Sequence, residues 1–257
     1  MTLFRIFGLS IHAYGLMLAI AFLVAIFAIA KVGKPLGIEF DTIIDLATWV
    51  IIGAVIGARI AYVLTNLPYF LSSPWWEVFM VSSGGLAFHG GLIGGFGAGF
   101  WFVKRRGIYP WRLADLVAPF IALGYSIVRI GCFLNHCCYG KVSNLPWALP
   151  CGPDLAARHP TQLYSFLGSL ILFGILWRFR NHKQFPGFLF LLYLGLYSIM
   201  RFIVEIFREG PMIFPWLTEA QLVCIILGGA AFGLIGWFRR GAQNGRPGTD
   251  ATADLHR

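Results

Sequence analysis

The sequence predicts an all-α membrane protein with seven transmembrane helices, an external N-terminus and a cytoplasmic C-terminus. This prediction depends on the composition, on the apolar runs and on the placement of Lys and Arg. Of the 257 residues, 58% are apolar and 12% are charged, with 24 Phe and 9 Trp. A soluble fold of this length could not bury so much apolar surface, so a soluble enzyme and a disordered chain are both excluded.

Seven apolar runs are long enough to cross about 30 Å of hydrocarbon, which takes a helix of roughly 20 residues. They cover residues 14–31, 43–64, 86–103, 113–134, 162–177, 187–207 and 217–238. The turn-rich segments 66–85 and 135–160 are predicted loops. We expect residues 1–240 to form one transmembrane domain and the polar residues 241–257 to form a cytoplasmic tail without a fold of its own.

Lys and Arg predict the orientation, because they are retained on the cytoplasmic side during insertion. One side holds thirteen of them: Lys31, Lys34, Lys104, Arg105, Arg106, Arg112, Arg178, Arg180, Lys183, Arg239, Arg240, Arg246 and Arg257. The opposite side holds four: Arg5, Lys141, Arg158 and Arg208. Since these charges lie at the ends of apolar runs, the net charge of +9 predicts a bilayer with anionic lipid as partner, not nucleic acid.

The first apolar run ends in a pattern that resembles a signal-cleavage site. Ala28 and Ala30 are the small residues of that pattern. The run before them is long, however, and Lys31 and Lys34 follow it as a cytoplasmic flank. We therefore expect a retained first helix.

Three arginines lie inside the predicted spans: Arg59, Arg129 and Arg201. Each costs at least about 2.5 kcal/mol near a helix centre, so each needs a partner or an aqueous cavity. With the predicted topology, all three fall in the outer half of the bilayer, together with Tyr14 and His89. The arginine side chains could extend to the membrane interface or bind backbone carbonyls. A cavity rich in guanidinium groups would instead suit the phosphate of a phospholipid headgroup.

Arg201, Glu205 and Arg208 follow the i, i+4, i+7 spacing of one helical face. Glu205 could partly neutralise both arginines and hold them in place. A structural ion pair explains Glu205 well. It leaves the arginines of the other helices unexplained.

The third apolar run is rich in glycine. Glycine recurs at every fourth residue over 91–99, a stripe that lets a neighbouring helix approach closely. Gly84 and Gly85 suit a turn or a re-entrant entry to the helix. His89 is ambiguous, because a lone histidine is often only hydrogen-bonded, although its pKa allows proton transfer near neutral pH.

Four cysteines and one histidine lie close together in the sequence: Cys132, His136, Cys137, Cys138 and Cys151. The Cys-x4-Cys-Cys spacing lacks the paired CxxC knuckles of common structural zinc sites, so we predict no metal site. In an oxidising compartment, Cys137 or Cys138 could form a disulfide with Cys151. Packing beneath the headgroups is a third explanation.

Several segments, in order, resemble the bacterial phosphatidylglycerol:prolipoprotein diacylglyceryl transferase family. They are residues 11–16, 57–62, 88–94, 129–135, 139–140, 159–164 and 201–208. The resemblance implies a seven-helix inner-membrane protein with its N-terminus outside. It also implies transfer of a diacylglyceryl group from phosphatidylglycerol to the thiol of a lipobox cysteine in a preprolipoprotein, with release of glycerol phosphate.

The resemblance implies that Arg129 binds phosphatidylglycerol and that Arg201, His89, Tyr14, Gly140 and Glu205 are functional positions. Together with the arginines discussed above, this gives the expected site residues. We expect catalytic roles for His89, Arg129 and Arg201: the arginines would stabilise charge on the departing phosphate, and His89 would act as base or orient the headgroup. Substrate-binding roles are expected for Arg129, Tyr14, Arg59, Asn135, Gly140, Glu205 and Arg208. We expect neither a metal nor an organic cofactor.

The sequence departs from the family signature Gly-Arg-x-Gly-Asn-Phe-x-Asn-x-Glu-x-x-Gly. Val128 replaces the first glycine, Cys132 the first asparagine and Cys137 the glutamate. Ser165 stands where the family often has glutamate. These changes leave open a divergent member that binds phospholipid but acts on another acceptor or is inactive. A transporter with an anion site is a second alternative, which the lack of an internal repeat disfavours.

Overall fold

The computed structural model describes residues 2–6, 9–80, 84–152, 155–182 and 184–243. Helices dominate these residues: α1 Ala13–Gly33, α2 Phe40–Thr65, α3 Leu67–Ser72, α4 Phe88–Arg105, α5 Pro110–Leu134, α6 Thr161–Phe179, α7 Phe188–Ile206 and α8 Glu219–Gln243. All seven predicted runs are helical. The all-α prediction is confirmed.

Six of the helices in the described part of the chain are long and apolar enough to cross a membrane: α1, α2, α5, α6, α7 and α8. The third predicted span, α4, forms a helix but is not among the six. Its 18 residues include six glycines and end with Lys104 and Arg105, and this composition lowers the hydropathy of the segment. The described residues therefore contain six candidate spanning helices, whereas the seventh remains a prediction.

The predicted loops contain short regular elements. Residues 66–85 include α3 and a 3-10 helix at Trp75–Phe79. Three two-stranded antiparallel sheets lie outside the long helices, and they pair β1 Thr2–Ile6 with β2 Leu9–His12, β3 Leu149–Pro150 with β4 Ala157–Arg158, and β5 Met212–Phe214 with β6 Leu217–Thr218. The predicted tail begins inside α8, and its residues 244–257 lie outside the described residues.

The chain divides into two compact units. One comprises Met1–Ile29 and Ala114–Arg257, and the other comprises Ala30–Leu113. The second unit is built on the contact between α2 and α4. The first contains most of α1 and α5 together with α6, α7 and α8.

Glycines hold α2 and α4 almost backbone to backbone. A Cβ atom added to Gly57 would lie 2.4 Å from the carbonyl oxygen of Gly90, and one added to Gly94 would lie 2.2 Å from that of Gly53. The predicted stripe over 91–99 also contacts α2, through Ala54 and Val50. The packing role predicted for these glycines is confirmed.

The core of the first unit is apolar and joins α5, α6, α7 and α8. Its fully buried members include Ala118, Leu176 and Leu189. At one end of this core the buried carboxylate of Asp115 on α5 accepts hydrogen bonds from the backbone N–H groups of Gly187 (2.9 Å) and Phe190 (3.1 Å). Asp115 thus caps the first turn of α7 and aligns that helix with α5.

Candidate functional site

Arg129, near the end of α5, lies against a tyrosine one helical turn earlier. Its guanidinium carbon is 4.5 Å from the ring centroid of Tyr125, and its Nη2 atom donates a hydrogen bond to the Tyr125 hydroxyl. The Nε atom of Arg129 is buried and has no hydrogen-bond partner among the described residues. A buried guanidinium N–H without a partner is costly, so it is a candidate donor to an anionic ligand.

Helices α5 and α7 carry their tyrosine–arginine pairs at the same level. On α5 the pair is Tyr125 and Arg129, and on α7 it is Tyr197 and Arg201. Tyr125 lies ten residues after Asp115, and Tyr197 lies ten residues after Gly187, the residue that Asp115 caps. The rings of Tyr125 and Tyr197 meet edge to face with centroids 5.5 Å apart.

This register has a consequence for the arginines. Both helices rise about 1.5 Å per residue, and two contacts at matching positions hold them parallel. Arg129 and Arg201 therefore lie at one level, roughly 21 Å along each helix from the Asp115 cap. The contact between the Tyr125 and Tyr197 rings lies one helical turn before the two arginines, and the shared site stays a prediction.

Arg201 forms an ion pair with Glu205 one turn later, through its Nη1 atom and Oε2 of the carboxylate. Glu205 is 5% exposed, so the pair is largely shielded from water. The predicted pairing of these two residues is confirmed. Helix α7 ends at Ile206, however, so Arg208 follows the helix end and does not lie on the helical face that the spacing predicted.

Arg59 on α2 directs its donors to backbone carbonyls. Its guanidinium hydrogen-bonds the carbonyl oxygens of Glu77, Val78 (2.7 Å), Gly84 (3.1 Å) and Gly85 (3.1 Å). The side chain is 9% exposed. These contacts favour the structural explanation that the sequence left open, in which the arginine satisfies carbonyls.

The segment that leads into α4 is shaped by two glycines. Gly84 and Gly85 have φ angles of +90° and +78°, as their predicted turn role requires. A Cβ on Gly85 would lie 2.8 Å from Nη1 of Arg59. His89, in the first turn of α4, is exposed, and its ring packs edge-on against Phe88 with centroids 5.6 Å apart. His89 and Arg59 belong to the second unit, whereas Arg129 and Arg201 belong to the first.

The end of α5 is a Schellman motif, and it brings cysteines together. His136 has a left-handed backbone (φ +49°), and its N–H donates to the carbonyl of Phe133 (3.1 Å), while the N–H of Cys137 donates to that of Cys132 (3.1 Å). In this motif the residue after the left-handed one folds over the third residue from the helix end. Here those two residues are Cys137 and Cys132. Cys138 is also left-handed (φ +62°).

The three sulfur atoms of Cys132, Cys137 and Cys138 lie within 4.8 Å of one another. A hydrogen bond with the Cys132 thiol is the main cause that lowers the pKa of the Cys138 thiol to about 5. The positive charges of Arg129 and Arg208 act in the same direction. Burial instead raises the pKa of the Cys137 thiol.

All five cysteines are free thiols in the structure. The disulfide from Cys137 or Cys138 to Cys151, one of the alternatives for this loop, is therefore not formed. Cys151 is buried in the β3–β4 hairpin region, and burial raises the pKa of its thiol.

The first residues of α6 anchor the loop that follows α5 and carries Cys137 and Cys138, called the cysteine loop below. The Thr161 hydroxyl donates to the carbonyl of Cys138 (2.8 Å), and the Gln162 amide donates to that of Cys137 (2.7 Å). Both side chains are almost fully buried. Their hydrogen bonds satisfy the carbonyls of a tightly turned loop and fix the position of its thiols.

Two glycines of the family signature allow close approach beside this loop. A Cβ on Gly140 would lie 2.4 Å from the carbonyl oxygen of Phe207, so glycine at this position allows close backbone approach, while its expected role in substrate binding stays a prediction. A Cβ on Gly131 would lie 3.2 Å from the Cα atom of Tyr14. Glycine at 131 therefore brings α1 against α5 and places Tyr14 close enough to Arg129 and Cys132 for an electrostatic interaction. Asn135 completes this group through a hydrogen bond between its side chain and the Cys137 thiol.

An apolar groove of about 650 Å³ runs along α6 and α7. Gly168 and Leu172 line it from α6, and Ile203 lines it from α7. Its polar end is formed by Tyr164, whose hydroxyl accepts a hydrogen bond from Trp147 Nε1 (2.9 Å) and lies 3.1 Å from His159 Nδ1. The backbone carbonyl oxygen of His159 accepts a hydrogen bond from the N–H of residue 140 (2.9 Å), so the groove ends beside the cysteine loop.

Sequence reasoning missed the tyrosines and the loop anchors. Tyr125 and Tyr197 each precede an intramembrane arginine by four residues, a spacing that faces one side of a helix and could have identified them. Thr161 and Gln162 carry no such local signal. Their role follows from a contact with residues more than twenty positions away.

Residues 1–237 match the prolipoprotein diacylglyceryl transferase family. Three similar proteins are each a phosphatidylglycerol–prolipoprotein diacylglyceryl transferase. The one from Chromohalobacter salexigens is 36% identical, over 90% of this chain and 89% of its own length. The one from Azotobacter vinelandii is 38% identical, over 91% of this chain and 93% of its own length. The one from Pseudomonas aeruginosa PAO1 is also 38% identical, over 91% of this chain and 92% of its own length. The chain is therefore a multi-pass membrane protein of the prolipoprotein diacylglyceryl transferase family.

Proposed function

We propose that the paired arginines of α5 and α7 bind the phosphodiester in the reaction of this family. In that reaction the diacylglyceryl group of phosphatidylglycerol passes to the thiol of a prolipoprotein cysteine. The observation that supports the assignment is the buried, unpartnered Nε of Arg129. Arg201 lies at the same level of the neighbouring helix, with its charge held in place by Glu205.

The two arginines act on the charge that develops during transfer. The sulfur attacks the glycerol carbon, and the bond from that carbon to the phosphate oxygen breaks. The departing glycerol phosphate gains negative charge, so guanidinium groups already in position stabilise the transition state more than the substrate. Tyr125 fixes the plane of the Arg129 guanidinium group, and the other N–H donors of Arg129 are left for the phosphate.

The remaining site residues have proposed roles in substrate binding and proton transfer. Tyr14 and Asn135 border the phosphate region, and Arg208 adds positive charge near the cysteine loop. His89 is the proposed base for the acceptor thiol or a contact for the headgroup. For Arg59 the contacts support a positioning role, because it holds the carbonyls of the segment that leads into α4.

The groove along α6 and α7 is the proposed site of one acyl chain. Its lining is apolar, its volume lies within the range of ligand pockets, and its polar end lies beside the cysteine loop. A lipid bound there would have its tail along α6 and α7 and its glycerol region near that loop. This arrangement matches a phospholipid, in which an apolar acyl chain is joined through glycerol to a phosphate.

In the membrane, α4 is the proposed seventh crossing, with the N-terminus outside and the C-terminus in the cytoplasm. The phosphate site then lies in the outer half of the bacterial inner membrane, where the lipobox of a translocated prolipoprotein is available. The distribution of Lys and Arg supports this orientation. Reporter fusions after Gln243 should be active only for a cytoplasmic reporter, and an active periplasmic reporter at that position would contradict the topology.

The test of the proposed chemistry is a transfer assay with purified protein, labelled phosphatidylglycerol and a lipobox peptide. Arg129→Lys should lower turnover by at least tenfold, because one ammonium cannot reproduce the bidentate contact. Arg178→Lys, the same change on the exposed end of α6, is the matched control. Lipid binding without a thioether product in the unaltered protein would instead favour a divergent family member.

A further inference from the structure

Cys132, Cys137 and Cys138 form a cluster that the transfer chemistry above does not use. Two of them stand where the family signature has asparagine and glutamate. The Schellman motif folds residue 137 over residue 132, and the left-handed residue 138 turns back toward both. The result is three sulfur ligands within 4.8 Å of one another, although the spacing in the sequence does not predict a metal site.

The geometry suits a thiophilic metal ion. Zinc binds thiolate sulfur at about 2.3 Å in a tetrahedral arrangement, which places the sulfur atoms roughly 3.8 Å apart. The three sulfurs need to move by no more than about 1 Å to reach this separation. Thr161 and Gln162 hold the backbone that carries them, so the ligands are positioned before the ion arrives.

The cluster differs from a set of packed cysteines. A cysteine that only fills space is usually buried, whereas Cys137 and Cys138 are partly exposed. No fourth Cys, His, Asp or Glu ligand joins the three among the residues that the structure describes. Three protein ligands with one open position are typical of catalytic zinc sites, whereas structural sites use four.

We propose that Cys132, Cys137 and Cys138 bind a zinc ion as three thiolates, and that the open position of the ion binds the sulfur of the acceptor cysteine. Zinc with three thiolates carries a net charge of −1, and a fourth thiolate makes it −2. Arg129 and Arg208 lie close enough to Cys138 for their positive charges to balance that charge. The inference depends on the transferase function, because the acceptor of that reaction is a thiol.

The proposed step activates the nucleophile. The acceptor thiol binds zinc and releases its proton to water, because a coordinated thiol is deprotonated. A sulfur lone pair then forms the bond to the glycerol carbon, and the electrons of the carbon–oxygen bond leave with glycerol phosphate. The thioether is a weaker ligand than thiolate and dissociates from the ion. No oxidant or reductant takes part.

Metal content tests the site without reference to activity. Protein purified with zinc should contain one equivalent, as measured by plasma mass spectrometry. Cys132→Ser, Cys137→Ser and Cys138→Ser should each lose most of it, whereas Cys151→Ser and Cys224→Ser, which alter buried cysteines outside the cluster, should keep it. Thermal melting of each variant shows whether it is folded, and Cys132→Asn, which restores the family residue, provides a second variant at that position.

Cobalt substitution tests the open position. The visible spectrum of the cobalt protein should change when a lipobox peptide is added, and an otherwise identical peptide with Ser in place of Cys should have no effect. The metal site would be overturned if the purified protein contained no zinc, or if each of the three cluster variants still bound zinc. A disulfide between two of the cluster cysteines would also overturn it. If the visible spectrum of the cobalt protein did not change when the Cys peptide is added, the proposed binding of the acceptor sulfur to the metal would be overturned. A protein that binds zinc but makes no thioether would overturn the transferase function and leave the metal site established.

Discussion

The guanidinium group of Arg129 lies over the ring of Tyr125 and donates to its hydroxyl. Tyr125 thus supplies both a ring face and a hydrogen-bond acceptor to a partly buried charge that would otherwise be costly in a membrane. The same four-residue spacing recurs in Tyr197 and Arg201, and the two tyrosine rings touch. These two helical turns carry the arginines of the candidate site.

Tyr125→Phe should reduce kcat/KM in the transfer assay by roughly 10–100-fold. The substitution keeps the ring but removes the acceptor, and a hydrogen bond to a charged group contributes about 1.5–3 kcal/mol. Tyr109→Phe, at an exposed position, is the control. Unchanged kinetics in Tyr125→Phe would show that the hydroxyl does not position Arg129.

Glu205→Gln should lower both thermal stability and turnover. The change leaves Arg201 without its counter-charge, and breaking a buried pair costs about 3–5 kcal/mol, here toward the lower value because Arg201 is partly exposed. The double variant Arg201→Met with Glu205→Leu should regain stability but not transfer. A double variant with normal turnover would remove Arg201 from the site.

Gly140→Ala should destabilise the protein and reduce transfer, because the new methyl group would meet the Phe207 carbonyl at 2.4 Å. The control is Gly174→Ala on α6, where no atom lies within 4 Å of the added Cβ. Alanine is favoured over glycine in a helix by about 1 kcal/mol, so the control should be at least as stable as the original protein. Equal melting temperatures for the two variants would contradict the close packing at residue 140.

Gly57→Ala should separate α2 from α4, since the added Cβ would lie 2.4 Å from the Gly90 carbonyl oxygen. Thermal melting in detergent is the measurement, and a clear fall is expected. Gly97→Ala on α4 meets nothing within 4 Å and should melt normally. If both variants melted alike, the glycine contact would not limit stability.

Ile203→Trp should fill part of the groove and raise KM for phosphatidylglycerol with long acyl chains more than for a short-chain analogue. The reason is steric, because Ile203 lines the proposed acyl site. Ile226→Trp, at a similarly exposed apolar position on α8, should leave KM unchanged. An equal effect of Ile203→Trp on both lipids would argue against an acyl chain in the groove.

The helices could be predicted from the sequence because each long apolar run satisfies its backbone hydrogen bonds internally, whatever surrounds it. The pair Arg201–Glu205 could be predicted for a similar reason, since both residues lie on one helix. The short helices in residues 66–85 and the position of Arg208 beyond the end of α7 depend on tertiary contacts. Periodicity alone does not encode those contacts.

The candidate site was only partly predictable. The family signature identified Arg129 and Gly140, but the anchoring of the cysteine loop by Gln162 arises from residues distant in the sequence. The thiol cluster has a local signal in the sequence. A cysteine three residues before a helix cap and another two residues after it are brought together by a Schellman motif.

The glycine contact between α2 and α4 also bears on how the chain enters the bilayer. Because α4 is poorer in apolar side chains than its neighbours, it gains less from lipid alone, and its glycine backbone is shielded by α2. We therefore expect the translocon to release α2 and α4 together as a preassembled hairpin. Lengthening the connection between α2 and α4 should slow membrane insertion of the chain, even at lengths that leave the mature protein unchanged.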